Sequence, residues 1–154
     1  MTIQKLLCAA LVLGSALGLL AADAFTGSWK LDVTKSTFAS DRPAPKELTL
    51  TFTEQGANRT QTLKGIAADG SATSTAWTAP ITGGAAIFPA GQGPNGGASV
   101  KVIDDKTLVM TQNPRYGNAG ASRTYQVNAD GKTLTLTQTR EDGHDSAKMA
   151  FIRQ

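Results

Sequence analysis

From Phe25 to Asp32 the chain alternates. Phe25, Gly27, Trp29 and Leu31 fall on one face, Thr26, Ser28, Lys30 and Asp32 on the other. That period of two marks a half-buried strand. The alternation recurs from Glu47 to Glu54, where Leu48, Leu50 and Phe52 oppose Thr49, Thr51 and Thr53. It continues more weakly from Arg59 to Ile66 and from Ser71 to Ala79. Pro80 to Gly97 is rich in Gly and Pro, but Ala85 to Phe88 within it reads as a short strand. The pattern then returns in Ala98–Ile103, Lys106–Gln112, Ser122–Val127, Lys132–Arg140 and Ser146–Arg153. Asp69-Gly70 and Asp130-Gly131 supply tight turns, with Gly at the left-handed position. Val33 to Lys46 is a long connection in which Pro43 and Pro45 force extended chain; Asp32 is expected to cap one short helical turn through Lys35 and Ser36. No amphipathic helix of ordinary length occurs. Many short strands joined by such turns predict an all-β fold, an antiparallel up-and-down barrel of about ten strands. An eight-stranded barrel and an open sandwich are the alternatives.

Ahead of the first strand, Lys5 precedes an uncharged apolar run of about 15 residues, Leu6 to Leu20, and Ala22-Asp23-Ala24 fits an A-x-A cleavage site. The run is shorter than the roughly 20 residues of a spanning helix. Residues 1–24 are therefore read as a signal peptide and 25–154 as one barrel domain, exported to the periplasm or secreted, with no transmembrane anchor after cleavage. Cys8, the single cysteine, leaves with the leader, which excludes disulfides, thiolate ligands and a thiol nucleophile. The formal net charge of +3 is mild and its basic residues are scattered, so no nucleic-acid surface is expected.

A bulky Trp two residues after a Gly, Gly27-x-Trp29, resembles the opening of the lipocalins and their calycin-type barrel relatives. The resemblance implies that Trp29 plugs the closed end of the barrel and that Arg153, from the last strand, lies across its ring. Gly27-x-Trp29-Lys30-Leu31-Asp32-x-x-Lys35-Ser36-x-Phe38, followed by Pro43-x-Pro45, resembles more closely a group of secreted bacterial lipocalin-like proteins. The Asp130-Gly131-Lys132 hairpin and the closing Phe151-Ile152-Arg153-Gln154 share that likeness, and Pro80 to Gly97 departs from it. The group has no settled activity, so no functional residue carries over.

A Trp29–Arg153 contact requires the first strand to start, and the last to end, at the same end of the barrel. A meander does this only with an even number of strands, which is why Ala85–Phe88 is counted and the total is ten. The same parity places the loops Val33–Lys46, Pro89–Gly97 and Asn113–Gly120 together at the far end, as the mouth of a ligand-binding barrel would be.

Catalytic constellations are sparse. His144-Asp145-Ser146 has the letters of a hydrolase triad, but adjacent residues do not converge as a triad must. Gly91-Gln92-Gly93-Pro94-Asn95-Gly96 imitates a dinucleotide fingerprint without room for the helix that motif requires. The carboxylates lie in turns without calcium-loop spacing, and with one histidine no zinc site is expected. No catalytic residue, metal or cofactor is assigned. Phe38, Trp77, Phe88, Tyr116, Arg123 and Tyr125 are candidates for a pocket or its mouth; Gly27, Trp29 and Arg153 are assigned to barrel closure. The aromatics among the former equally suit a thin core. An inward Arg, at Arg59 or Arg123, could take a ligand carboxylate bidentately. The expectation is a non-enzymatic binder of a small apolar or amphipathic ligand, or alternatively a structural or protein-interaction module with a filled barrel and an unknown partner.

Overall fold

The computed structural model describes residues 23–40, 42–113, 120–140 and 147–154. All regular structure among them is β: β1 (Gly27–Thr37), β2 (Glu47–Gln55), β3 (Asn58–Ile66), β4 (Ala72–Pro80), β5 (Gly84–Ala86), β6 (Ala98–Asp104), β7 (Thr107–Gln112), β8 (Ala121–Val127), β9 (Thr133–Arg140) and β10 (Ala147–Arg153). They form one antiparallel sheet in the order β4-β3-β2-β1-β10-β9-β8-β7-β6-β5. The sheet edges β4 and β5 meet at a single bridge, Thr78 to Ile87, which nearly closes the barrel. Ten strands and their parity are as expected. The weak strand is shorter than predicted, Gly84–Ala86 rather than Ala85–Phe88, because Pro89 and the glycines after it cannot extend the ladder.

Registration explains why alternation was so clear. Trp29 pairs with Arg153 and Leu50, Leu31 with Phe151, and Tyr125 with Leu136 and Leu108. Inward positions therefore stack into one core that includes Trp29, Leu50, Phe52, Trp77, Met110, Tyr125, Leu134 and Phe151. Threonines occupy the outer face, where β-branched side chains suit a solvated pleat.

The expected helical turn after Asp32 does not form; β1 stays extended to Thr37, with a bulge between Asp32 and Thr37 in its pairing with β10. The Asp32 carboxylate accepts from the Thr34 N–H (3.1 Å) and hydroxyl (2.6 Å), and Lys35 reaches it at 3.3 Å. Ser36 donates to the Asp32 carbonyl and accepts from the Ala150 N–H. Asp32 thus stabilises a bulge rather than a helix, because β10 competes for the backbone beside it. The Thr34 hydroxyl first, and Lys35 after it, hold the Asp32 carboxyl below its usual range.

One end of the barrel is closed as the Gly-x-Trp resemblance implied. Trp29 is wholly buried, and its indole N–H donates to the Phe25 carbonyl at 2.9 Å. The Arg153 guanidinium lies 4.1 Å from the Trp29 ring centroid and donates to the carbonyls of Gly131 (2.7 Å), Thr26 (2.8 Å) and Ala24 (2.5 Å). Gly27 makes room for it: φ is +130°, and a Cβ there would sit 3.1 Å from Arg153 Nη1. Asp23 and Ala24 belong to this closure. The Asp23 carboxylate accepts from the Phe25 N–H and pairs with Arg59, so a cut after Ala24 would remove both an acceptor of Arg153 and a partner of Arg59.

Candidate functional site

Following the strands from the closed end upward places every candidate. β2 ends and β3 begins at the base, so Phe52, Gln61 and Trp77 form one row beside Gly27, just above it. Trp77 therefore lies in the lower interior, 2% exposed, and not at the rim. Its ring meets Phe52 and Tyr125 edge-on, both at 6.2 Å; Phe52 meets Tyr125 at 5.6 Å and Phe25 at 5.4 Å. Phe25, just ahead of β1, and the three rings from β2, β4 and β8 pack together in the lower half of the barrel, and such contacts add to their area burial.

Arg59 does not serve as an inward carboxylate receptor. It is 6% exposed, lies 5.2 Å from the Phe25 ring centroid, and is occupied by the protein's own Glu54 (2.8 Å) and Asp23. An open cleft of about 640 Å³ adjoins it at the base, lined by Phe25, Arg59, Ile81, Val102, Asp104, Lys106 and neighbours. The Asp104 carboxylate there is already turned inward on its own hairpin, accepting from the Lys106 N–H at 2.8 Å.

At the opposite end, the connection after β1 folds over the rim. A cavity of about 180 Å³ lies beneath it, lined by Phe38, Ala39, Arg42, Pro43, Pro45, Leu48, Gln138, Ala147 and Met149. Leu48, Gln138 and Met149 come from β2, β9 and β10; Phe38 and the two prolines come from the connection. The predicted mouth and its Phe38 thus meet in one apolar cavity. Pro43 and Pro45 make the connection stiff enough to form a wall.

Between these two ends sits Arg123, half-buried and two residues above Tyr125 on the same face of β8. Its cross-strand neighbours are Met110 on β7 and Gln138 on β9, and Gln138 also lines the mouth cavity. Burial pushes the Tyr125 phenol above its usual 10.0; the Arg123 charge is the main opposing influence, with Trp77 and Arg123 facing the phenol oxygen. The Trp77 Nε1 nevertheless has no hydrogen bond of proper geometry among the described residues. This orphaned donor was not legible in the sequence, because it depends on rings meeting across the barrel.

Phe88 is half-buried and packs on the core beside the β4–β5 seam. Gly93 arches over it with φ +91°, where a Cβ would lie 2.4 Å from the ring. The Gln92 side chain accepts from the Ala76 N–H at 3.1 Å, covering the part of β4 that β5 is too short to reach. The Gly-rich stretch leads into β6 with no helix after it, as its prolines require. Tyr116 and His144-Asp145-Ser146 lie outside the described residues.

No family model matches the sequence, and no curated protein matches it. Solved structures do match in fold. The Schistosoma mansoni fatty acid binding protein in complex with arachidonic acid is similar at TM-score 0.55 and 17% identity, over 85% of this chain and 96% of that one. A redesigned β-barrel bound to DFHBI is similar at TM-score 0.50 and 16% identity, over 86% of this chain and 98% of that one. The protein's described residues form a ten-stranded antiparallel, nearly closed β-barrel, whose structural neighbours include a fatty acid binding protein and a redesigned β-barrel.

Proposed function

We propose that this is an exported, non-enzymatic binding protein of the lipocalin-like kind that its two ends resemble, holding a small, partly apolar ligand at the mouth of the barrel. The observation that carries this reading is the apolar cavity of about 180 Å³ under Phe38, Pro43 and Pro45. Its floor is inward-facing strand residues, so a ligand would enter the barrel rather than rest on its surface. The volume is below the roughly 300–1,000 Å³ of pockets that enclose a drug-sized ligand. It suits a short apolar segment, with the rest of the molecule at the rim or deeper toward Arg123. The fold neighbours bind arachidonic acid and DFHBI, which supports a binding role without naming a ligand.

A second reading, an interaction module with a filled barrel, draws support from the four rings that occupy the lower half. Native mass spectrometry of protein purified from its own host separates the two. Binding predicts a co-purifying small molecule that leaves on collisional activation. A bare chain mass, with no shift on adding a panel of small amphiphiles, would contradict it.

A further inference from the structure

We propose that the ligand carries a carboxylate, received inside the barrel by Arg123, the Tyr125 hydroxyl and the indole N–H of Trp77. The inference rests on the binding reading above and deepens it by naming the chemical class. Three donors from two strands, β4 and β8, converge in the interior, with Trp77 and Arg123 both turned to the Tyr125 phenol, and two of the residues are almost fully buried.

Trp77 and Arg123 both face the Tyr125 hydroxyl, which is not itself an orphan. The Trp77 N–H is buried and unpaired among the described residues. A buried donor without an acceptor is costly, and native folds rarely leave one without a reason. Arg123 faces Met110 and Gln138 across its ladders. Among the described residues the acids lie elsewhere: Asp23 and Glu54 hold Arg59, Glu47 pairs with Lys30, Asp32 with Lys35, and Asp69, Asp104, Asp105 and Asp130 occupy turns. Arg59 is the useful contrast, since an inward guanidinium at the base has two carboxylates of its own and Arg123 has none in that set. Tyr125 stays a neutral phenol at ordinary pH and keeps a proton to donate.

A carboxylate fits this set better than a neutral group. A guanidinium offers parallel N–H donors that match two carboxylate oxygens, and the hydroxyl and indole N–H supply donors to the remaining lone pairs. Gln138 links the two places, since it neighbours Arg123 on the ladder and lines the mouth cavity. The ligand would then lie with its acid group down and its apolar part under Phe38 and Met149.

Isothermal titration with decanoate and with decanol, matched in chain length, tests this on the wild-type protein. The expected result is at least tenfold tighter binding of decanoate. Arg123→Gln should abolish that preference while leaving decanol affinity within about twofold, and Trp77→Phe should reduce it severalfold. Arg123→Lys, which keeps the charge but not the fork, should fall between. Decanol binding as tightly as decanoate would overturn the carboxylate assignment and leave the binding reading standing. Binding of neither would overturn both. An undiminished preference in folded Arg123→Gln would place the acid group elsewhere.

Discussion

The base and the middle of this barrel handle the same problem, an inward arginine, in opposite ways. At the base, Arg59 and Arg153 are saturated by the protein itself: Arg59 by Glu54 and Asp23, Arg153 by three backbone carbonyls and the Trp29 ring. Higher up, Arg123, with the unpaired Trp77 N–H below it in the aromatic layer, faces an interior with no carboxylate partner for it among the described residues. Internally satisfied polar groups fix a structure, whereas unsatisfied ones next to a cavity await something from outside. The base is thus built for closure and the interior above it for reception.

Substitutions at the base should be felt as stability. Trp29→Ala removes a wholly buried ring and should cost about 3–5 kcal/mol, read as a drop in denaturant midpoint. Near-wild-type stability would mean that the base is not the foundation of the fold. Arg153→Ala should cost about 2–4 kcal/mol, more than the roughly 0.5–2 of a cation–π contact alone, because three charged hydrogen bonds go with it. A chain starting at Phe25 should be less stable than one starting at Asp23 by about 1–3 kcal/mol, since it loses the Asp23 partner of Arg59 and the Ala24 acceptor of Arg153. Equal midpoints would show that Glu54 alone satisfies Arg59.

The aromatic layer should report itself in alkali. The Tyr125 phenol is raised in the folded state, so its contribution is fully present below the unfolded value of 10.0 and is lost as pH rises through the folded one. Above pH 10 the unfolded chain releases this proton first, and stability should fall. Tyr125→Phe should flatten that slope in denaturant midpoints taken across the range. At the mouth, Phe38→Ala should cost less than about 1 kcal/mol, because the ring is only half-buried, yet it should weaken binding of a decanoate probe. The reverse outcome, large destabilisation with unchanged binding, would make Phe38 a core residue.

Much of the architecture was written in single residues. Alternation placed the inward rows, and the Gly27–Trp29 spacing with Arg153 at the far terminus marked the closed end and, through parity, the number of strands. What escaped were features decided by strand pairing across distance. Asp32 has the composition of a helix cap, and only its neighbour Ala150 on β10 makes it a bulge residue. Arg59 looked as available as Arg123 until Asp23, 36 positions away and assigned by its A-x-A context to a leader, proved to be its partner. Trp77 was a candidate for the pocket or its mouth, and register with Phe52 sets it deep, where its N–H has no partner of proper geometry among the described residues.

The base cleft, at about 640 Å³, is larger than the mouth cavity of about 180 Å³, yet the smaller one is expected to bind, because the arginine beside the larger is already paired. Backbone amide shifts recorded during titration with decanoate decide between them. Perturbations are expected at Phe38, Leu48, Arg123, Gln138 and Met149, with Asp23, Arg59 and Lys106 unmoved. Shifts concentrated at Asp23, Arg59 and Lys106 would contradict this expectation.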